Sequence, residues 1–412
     1  MISIIKAPEE INCLIELPYS KSLINRMVIL SALSGINLPE NFKSDSTDVL
    51  VLKKAIREIK NSKNSKIPIE ININDAGTAA RFLTSMLAIT EGEWILKGSE
   101  RMNQRPIKPL VDALNSIGAD IKFADNNEYF PLNISGKTNL GKYIKIDASQ
   151  SSQFVTSLML IAPFLPDGLE IEIIGKSVSK SYINNTVKLL QICGIEITQK
   201  EHVYIIKKGR PNFGAIKPER DWSAAAYWAV IALLTSNSKI EFSNLSSNSL
   251  QGDSAILSFL KPLGLAFSEN QTLTFYKEEA PVLPPKLEIN LINHPDLFPP
   301  LAVFFAIKGI SIVFFGLDTL NSKESRRINA VADICSNVAE VKFAENKFSI
   351  IKAKTIFPIK VLANTHNDHR IAMAYSLLAF AGIKIEIPDP KTVNKSYPKF
   401  WEDLENAGFV IK

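Results

Sequence analysis

The chain has few residues of the kinds that build disulfides, metal centres or membrane spans. Its 412 residues include three cysteines and four histidines. The cysteines are scattered, which excludes a disulfide framework and favours a reducing cytoplasm, and no two histidines have the spacing of a zinc site. No apolar run reaches the roughly 18 residues of a membrane span, and the first residues lack the pattern of a signal peptide. We therefore expect a cytoplasmic protein with no metal site.

An excess of one charge is also missing. Lysine and arginine number 47 against 42 aspartates and glutamates, a net charge of +5. This small excess does not indicate a nucleic-acid partner, which needs clustered basic stripes. It is compatible with small anionic substrates if the positive charge is gathered in one cleft. With 46% apolar and 22% charged residues the composition is globular, and the length predicts two domains.

An internal repeat organises the sequence. A short polar segment followed by an apolar helix occurs six times, at intervals of roughly 55–75 residues. The six polar segments are Ser20–Ser22, Asp75–Thr78, Ser151–Gln153, Asp221–Ser223, Asp296 and Asn367–Arg370. Amphipathic helices and short strands alternate with them. Because no copy alone can bury its apolar faces, we expect three copies per domain, with the apolar helices central and the amphipathic ones outside. The best candidate for a domain boundary is the segment 209–214.

The starts of the apolar helices are the candidate binding sites in this pattern. A helix start leaves free backbone N–H groups and a positive dipole end, which bind phosphates and carboxylates. For any single start, the serines, threonines and aspartates are more simply N-caps. Basic residues gathered at these starts favour a shared anion site; they are Lys21, Arg26, Arg81, Arg105, Lys323, Arg327, Arg370 and Lys395.

Ten motifs resemble, in order, those of the 5-enolpyruvylshikimate-3-phosphate synthases. They are Ser20–Arg26, Asp75–Arg81, Glu100–Pro106, Ser151–Phe154, Val178–Tyr182, Asn248–Asp253, Pro295–Asp296, Lys323–Arg327, Asn367–Arg370 and Lys395–Pro398. Each motif alone is weak evidence, but ten in the family's order across the chain are strong evidence. The resemblance implies transfer of the enolpyruvyl group of phosphoenolpyruvate to the 5-hydroxyl of shikimate 3-phosphate, through a tetrahedral intermediate and with release of phosphate.

The resemblance also implies an architecture. The fold class is α/β (α+β), with two domains of three repeated helix–strand units each, an inside-out α/β barrel. Residues 21–218 form one domain, residues 1–20 and 219–412 form the other, and the active site lies in the cleft between them. The implied protein is a cytoplasmic monomer that binds its two small substrates, with no cofactor, no nucleic acid and no membrane.

Site residues follow from the same resemblance. The catalytic groups are Asp296 as the base at the hydroxyl, Glu324 as the acid at the methylene carbon, and Lys21. The shikimate 3-phosphate ligands are Lys21, Ser22, Arg26, Ser151, Ser152, Gln153, Ser179, Tyr182, Asp296 and Lys323. The phosphoenolpyruvate ligands are Lys21, Gly77, Arg105, Gln153, Arg327, Arg370 and Lys395. Arginine suits a carboxylate because its planar fork binds both oxygens, and Gly77 allows phosphate to approach the helix start closely. Asp368 and His369 are expected to orient Arg370.

Some positions depart from the family pattern, and two other functions stay open. The departures are Tyr19, Ser181, Thr319, Asn321 and Arg326; they flank the chemistry and leave each core charge in place. The alternatives are a UDP-N-acetylglucosamine enolpyruvyl transferase and a non-catalytic phosphate-ligand binder. The UDP-N-acetylglucosamine enolpyruvyl transferase typically carries a reactive cysteine in a loop of the first half of its chain. Here Cys13 lies in a strand-like run before Lys21, which argues against that alternative.

Overall fold

The chain folds into two compact units, one of which is interrupted in sequence by the other. The computed structural model describes residues 1–62, 67–125, 128–176, 178–279 and 287–412. Unit 1 consists of Met1–Ser20 and Glu219–Lys412, and unit 2 consists of Lys21–Pro218. The segment 209–214, the candidate boundary in the sequence, therefore lies within unit 2, shortly before the second break.

Unit 2 contains two four-stranded sheets among its described residues. Its elements are α1 (Lys21–Ser34), α2 (Thr47–Asn61), β3 (Ile69–Asn72), α3 (Gly77–Ala88), β4 (Gly92–Lys97), α4 (Lys108–Ser116), β5 (Asp120–Phe123), β6 (Leu132–Gly136), β7 (Tyr143–Asp147), α5 (Ser152–Ile161), β8 (Leu169–Ile174), α6 (Lys180–Ile192), β9 (Ile197–Lys200) and β10 (Val203–Ile206). The sheet orders are β3-β4-β6-β5 and β7-β8-β10-β9. In each sheet the first two strands are parallel and the other pairs are antiparallel, so both sheets repeat one βαβαββ unit.

In the described part of unit 1 there are three sheets with the same order of pairing. Its elements are β1 (Ile2–Lys6), β2 (Glu10–Ile15), α7 (Trp222–Leu234), β11 (Asn237–Phe242), α8 (Ile256–Leu260), β12 (Leu265–Glu269), β13 (Leu273–Lys277), β14 (Leu287–Asn290), α9 (Phe298–Lys308), β15 (Ile312–Phe315), α10 (Arg327–Cys335), β16 (Ala339–Ala344), β17 (Lys347–Ala353), β18 (Lys360–Leu362), α11 (His369–Ser376), β19 (Lys384–Ile387), α12 (Phe400–Asn406) and β20 (Val410–Ile411). The sheet orders are β2-β11-β13-β12, β14-β15-β17-β16 and β18-β19-β1-β20.

Unit 2 is inserted into one repeat of unit 1. Strand β2 pairs in parallel with β11, although all of unit 2 separates them in sequence. The two chain crossings lie side by side, because the backbone N–H of Ser20 donates to the carbonyl of Glu219 over 2.8 Å. Tyr19 forms an antiparallel bridge with Arg220, whose guanidinium lies 4.1 Å from the centre of the tyrosine ring. Tyr19, a departure from the family pattern, therefore has a structural partner at this crossing.

One of the six repeats differs from the others. Helices α1 and α2 form the first copy of unit 2, but the described residues of this copy contain no strand. The other five copies each contribute a four-stranded sheet. The predicted fold class, a two-domain protein of repeated helix–strand units with mixed helix and sheet, is confirmed.

The apolar helices are central, as the sequence predicts. Every residue of α7 except Ser223 and Leu234 is buried, and in α9 all residues from Phe298 to Ala306 are buried. Helices α7 and α11 both pack on α9 in unit 1, while α1, α3 and α5 pack on one another in unit 2. This packing brings the polar helix starts of each unit together. Within the described residues, no helix is long and apolar enough to cross a membrane.

Candidate active site

Three helix starts of unit 1 meet at the guanidinium of Arg327. Its Nη1 lies 2.9 Å from Asp296 Oδ1, in the turn before α9, and its Nη2 lies 2.7 Å from Glu324 Oε2, just before α10. Its Nε donates to Asp368 Oδ2 at the start of α11 over 3.0 Å. The fold therefore brings both predicted proton-transfer carboxylates onto one side chain, which is only 1% exposed.

The same cluster keeps Asp296 ionised. Arg370 Nη2 lies 2.8 Å from Asp296 Oδ2, on the oxygen that Arg327 does not bind. Burial raises the pKa of Asp296, but the charges of Arg370, Lys323 and Arg327 outweigh burial and hold this pKa well below its usual range. With its pKa held this low, Asp296 is a weak base.

A second carboxyl group beside this cluster, that of Asp253, has a raised pKa. Asp253 is 2% exposed, and the Ser223 hydroxyl donates to it. Burial, followed by the negative charge of Asp296, raises the pKa of Asp253 to about 6. The sequence analysis gives no role to Asp253. The only feature of the sequence that points to this residue is its position at the end of the motif Asn248–Asp253.

Two further predicted ligands of unit 1 are lysines. Lys323 precedes Glu324, and its charge contributes to the low pKa of Asp296. Lys395 lies in a short 3₁₀ segment before α12, and its Nζ donates to the carbonyl of Asn367 over 2.7 Å. This bond ties Lys395 to the turn that leads into α11, where Arg370 lies.

In unit 2, Lys21 is held by a carboxylate that the sequence analysis missed. Lys21 begins α1, and its Nζ lies 2.9 Å from Asp48 Oδ2 in the first turn of α2. The two side chains are 13% and 11% exposed, so water screens this pair only partly. Asp48 lies in a polar segment at the start of an amphipathic helix, where none of the ten motifs marks it as a partner of Lys21.

Arg26 is engaged mainly by the protein itself. Its Nε donates to Thr186 Oγ1 over 2.8 Å, its Nη1 to both the carbonyl and the hydroxyl of Ser22 over 2.7 Å, and its Nη2 to the carbonyl of Tyr182 over 3.0 Å. Burial lowers the pKa of Arg26 to about 10. Arg26 therefore joins α1 to α6 and orients the Ser22 hydroxyl, in addition to any contact with a ligand.

Gly77 and Arg105, both predicted for phosphoenolpyruvate, lie against each other. A Cβ at Gly77 would come within 2.5 Å of Arg105 Nη1, so at the start of α3 the guanidinium occupies the space that a side chain at residue 77 would fill. Arg105 is 5% exposed, and its Nε has no hydrogen-bond partner among the described residues. Arg81 holds the adjoining backbone, because its Nη2 donates to the carbonyl of Pro106 over 2.6 Å.

The serines predicted as ligands of shikimate 3-phosphate lie at the starts of α1, α5 and α6. Ser151 caps α5, since its Oγ accepts from the backbone N–H of Gln153 over 3.2 Å, and Ser152 opens the helix. Gln153 Nε2 donates to Thr78 Oγ1 over 3.3 Å, which joins the starts of α5 and α3. Ser179 is buried at the start of α6 with a left-handed φ of 56°.

Fold comparison defines the class of protein. EPSP synthase from Acinetobacter baumannii superposes with a TM-score of 0.76 at 22% identity, covering 100% of this chain and 99% of that one. The enolpyruvyl transferase NikO from Streptomyces tendae superposes with a TM-score of 0.71 at 13% identity, covering 100% and 98%. At these identities the likeness concerns the fold, which is that of the two-domain enolpyruvyl transferases.

Sequence comparison gives the family. A sequence model of EPSP synthase (3-phosphoshikimate 1-carboxyvinyltransferase) matches residues 5–404. The 3-phosphoshikimate 1-carboxyvinyltransferase of Bacteroides fragilis is 35% identical, covering 99% of this chain and 98% of the relative. The enzyme of the same name from Colwellia psychrerythraea is 31% identical, covering 96% of both. The chain belongs to the EPSP synthase family, and the resemblance seen in its ten motifs is confirmed.

Proposed function

We propose that this chain transfers the enolpyruvyl group of phosphoenolpyruvate to the 5-hydroxyl of shikimate 3-phosphate and releases phosphate. It is a transferase of the shikimate pathway, which leads to the aromatic amino acids. The family match over nearly the whole chain carries this proposal, and it favours a phosphorylated shikimate over a UDP-sugar as the acceptor.

The unit 1 cluster supports an addition–elimination mechanism. Asp296 takes the proton of the 5-hydroxyl as the oxygen of that hydroxyl bonds to C2 of phosphoenolpyruvate, and Glu324 in its protonated form gives a proton to C3. The tetrahedral intermediate then collapses: Glu324 takes the proton back from C3, the C2–C3 double bond re-forms, and the bond between C2 and the phosphate oxygen breaks. The departing phosphate takes up the proton held by Asp296. Two carboxylates held by one guanidinium offer the two positioned proton carriers that these steps require.

Substrate charge completes the catalytic arrangement. Arg327, Arg370 and Lys323 keep Asp296 ionised but weakly basic in the free protein. Both substrates are polyanions, so their binding offsets these cations and raises the pKa of Asp296 towards the range of a useful base. Lys21, Arg105 and the serines of unit 2 supply the remaining donors. That groups of both units serve one pair of substrates stays a prediction from the sequence.

Conservative variants test the two proton-transfer roles. Asp296→Asn and Glu324→Gln keep the size of the side chain but remove the titrating group, so each is expected to lower kcat by at least about a thousandfold. Phosphate release from both substrates measures turnover, and calorimetric titration with shikimate 3-phosphate checks that binding survives. Glu345→Gln, in an exposed turn, is the matched control.

The outcomes separate the three functions. Retained turnover in Asp296→Asn or Glu324→Gln would remove the role given to that residue. Turnover of the unaltered chain with UDP-N-acetylglucosamine as acceptor, or with neither acceptor, would reject the proposed activity. We also propose that the protein works in the cytoplasm as a monomer; sedimentation velocity that shows a dimer would contradict the second point.

A further inference from the structure

Arg327 binds three carboxylates at once. All three of its nitrogens face an acid: Nη1 faces Asp296, Nη2 faces Glu324 and Nε faces Asp368. Burial lowers the pKa of Arg327, but the charges of Asp368, Glu324 and Asp296, in this order of strength, more than reverse the effect. A planar guanidinium bonded on three sides has a fixed orientation, so the positions of the two proton-transfer carboxylates depend on it.

Asp368 differs from the other two acids in its surroundings. Its side chain is 0% exposed, whereas Asp296 and Glu324 are 15% and 17% exposed. Its Oδ2 accepts from Arg327 Nε over 3.0 Å and from the hydroxyl of Ser325 over 2.9 Å. Its Oδ1 accepts from the backbone N–H of Arg370 over 3.0 Å and so caps α11. A carboxylate without solvent exposure and with these three donors is suited to be an anchor rather than a substrate ligand.

We propose that Asp368 is a positioning residue for proton transfer, which fixes Arg327 and thereby sets where Asp296 and Glu324 stand. The bond to Ser325 strengthens this effect, because Ser325 directly follows Glu324 in the turn before α10. The inference rests on the proposed function, since it assumes that Asp296 and Glu324 carry the protons. The simpler interpretation is that Asp368 only caps α11 and orients Arg370, the role expected from the sequence.

The variant Asp368→Asn separates these two interpretations. Asparagine is as good an N-cap as aspartate, so the cap of α11 is kept while the charge opposite Arg327 is lost. We expect kcat to fall at least about tenfold, with the KM for shikimate 3-phosphate changing less than about twofold. Asp221→Asn is the matched control: Asp221 caps α7 through its Oδ1, which accepts from the N–H of Ala224 over 3.1 Å, and it should retain full kcat.

A double-mutant cycle tests whether Asp368 acts through Arg327. Arg327→Lys keeps the charge but removes the fork, so Asp368→Asn should cost less than about threefold in kcat when added to Arg327→Lys. An equal fall in both backgrounds would overturn the proposal, because a helix cap acts independently of Arg327. Unchanged kcat in Asp368→Asn, or an equal loss in Asp221→Asn, would overturn it as well.

A milder variant keeps the test valid if Asp368→Asn does not fold. Ser325→Ala removes one donor to Asp368 and leaves every charge in place, so we expect a fall in kcat of about threefold and a modest loss of thermal stability, because a buried carboxylate loses one of its donors. Full kcat in this variant would count against the proposal. Failure of the proposed function has a different signature, namely turnover of the unaltered chain with UDP-N-acetylglucosamine as acceptor, or with neither acceptor. Retained turnover in Asp296→Asn or Glu324→Gln would instead remove the proton-transfer roles that this inference assumes. If those two variants lose turnover while Asp368→Asn keeps it, only the present inference fails.

Discussion

At the scale of single residues, the glycine at position 77 is required by the arginine that packs over it. An added Cβ would lie 2.5–2.8 Å from the guanidinium atoms of Arg105, so Gly77→Ala must displace that side chain. We expect the KM for phosphoenolpyruvate to rise about tenfold or more, which corresponds to about 1.4 kcal/mol, while the Kd for shikimate 3-phosphate stays nearly constant. Steady-state kinetics and calorimetric titration measure the two constants.

A second glycine provides the control for this prediction. At Gly141 an added Cβ would meet Ile117 no closer than 3.4 Å, an ordinary contact, so Gly141→Ala should leave both constants unchanged. An unchanged KM for phosphoenolpyruvate in Gly77→Ala would show that Arg105 can shift without cost. This result would contradict the explanation given for the glycine at position 77.

Asp253 predicts a pH dependence of stability. Its pKa rises from 3.8 to about 6 on folding. A raised carboxyl pKa means that the folded protein prefers the neutral form, so this contribution is complete below about pH 4 and is lost as pH rises through about 6. Asp253→Asn stays neutral throughout. We therefore expect the unaltered protein to lose up to about 3 kcal/mol relative to this variant between about pH 4 and pH 7.

Thermal unfolding of both proteins across this pH range measures the difference. Asp167→Asn, in an exposed turn, is the control and should show no change of its Tm difference with pH. If the Tm difference between Asp253→Asn and the unaltered protein were the same at every pH, burial would not have shifted the titration of Asp253.

At the scale of elements, local patterns located the starts of the buried helices. All six predicted polar segments lie at helix starts. The pattern is sufficient here because each polar segment contrasts with the apolar run that follows it.

Contacts between distant segments were beyond the reach of such patterns. The sequence analysis assigned β1 and β2 to no repeat, yet β1 completes the sheet of the last copy and β2 that of the copy containing α7. Likewise, Asp48 and Asp253 gain their partners only through the packing of helix starts far apart in sequence. The assigned site residues came from motif resemblance, which names residues but not the bonds that hold them, such as those around Arg327.

At the scale of the whole molecule, the insertion of unit 2 makes a prediction about folding. Because the N–H of Ser20 bonds to the carbonyl of Glu219 in an antiparallel crossing, the two ends left by removing Lys21–Pro218 are already adjacent. A two-residue Asn-Gly turn commonly connects antiparallel segments of this kind. The shortened chain would keep all three sheets of unit 1 and its core around α7, α9 and α11.

We expect the chain in which an Asn-Gly turn replaces Lys21–Pro218 to fold and unfold cooperatively, with no turnover because Lys21 and Arg105 are gone. Circular dichroism during heating and dispersed amide signals in NMR measure folding. The control begins at Glu219: it lacks β1 and β2, which leaves β11 and β19 each with one unpaired side, so it should not fold. A shortened chain without a cooperative transition, or a control as stable as it, would contradict the view that unit 1 is a complete folding unit closed by the first 20 residues.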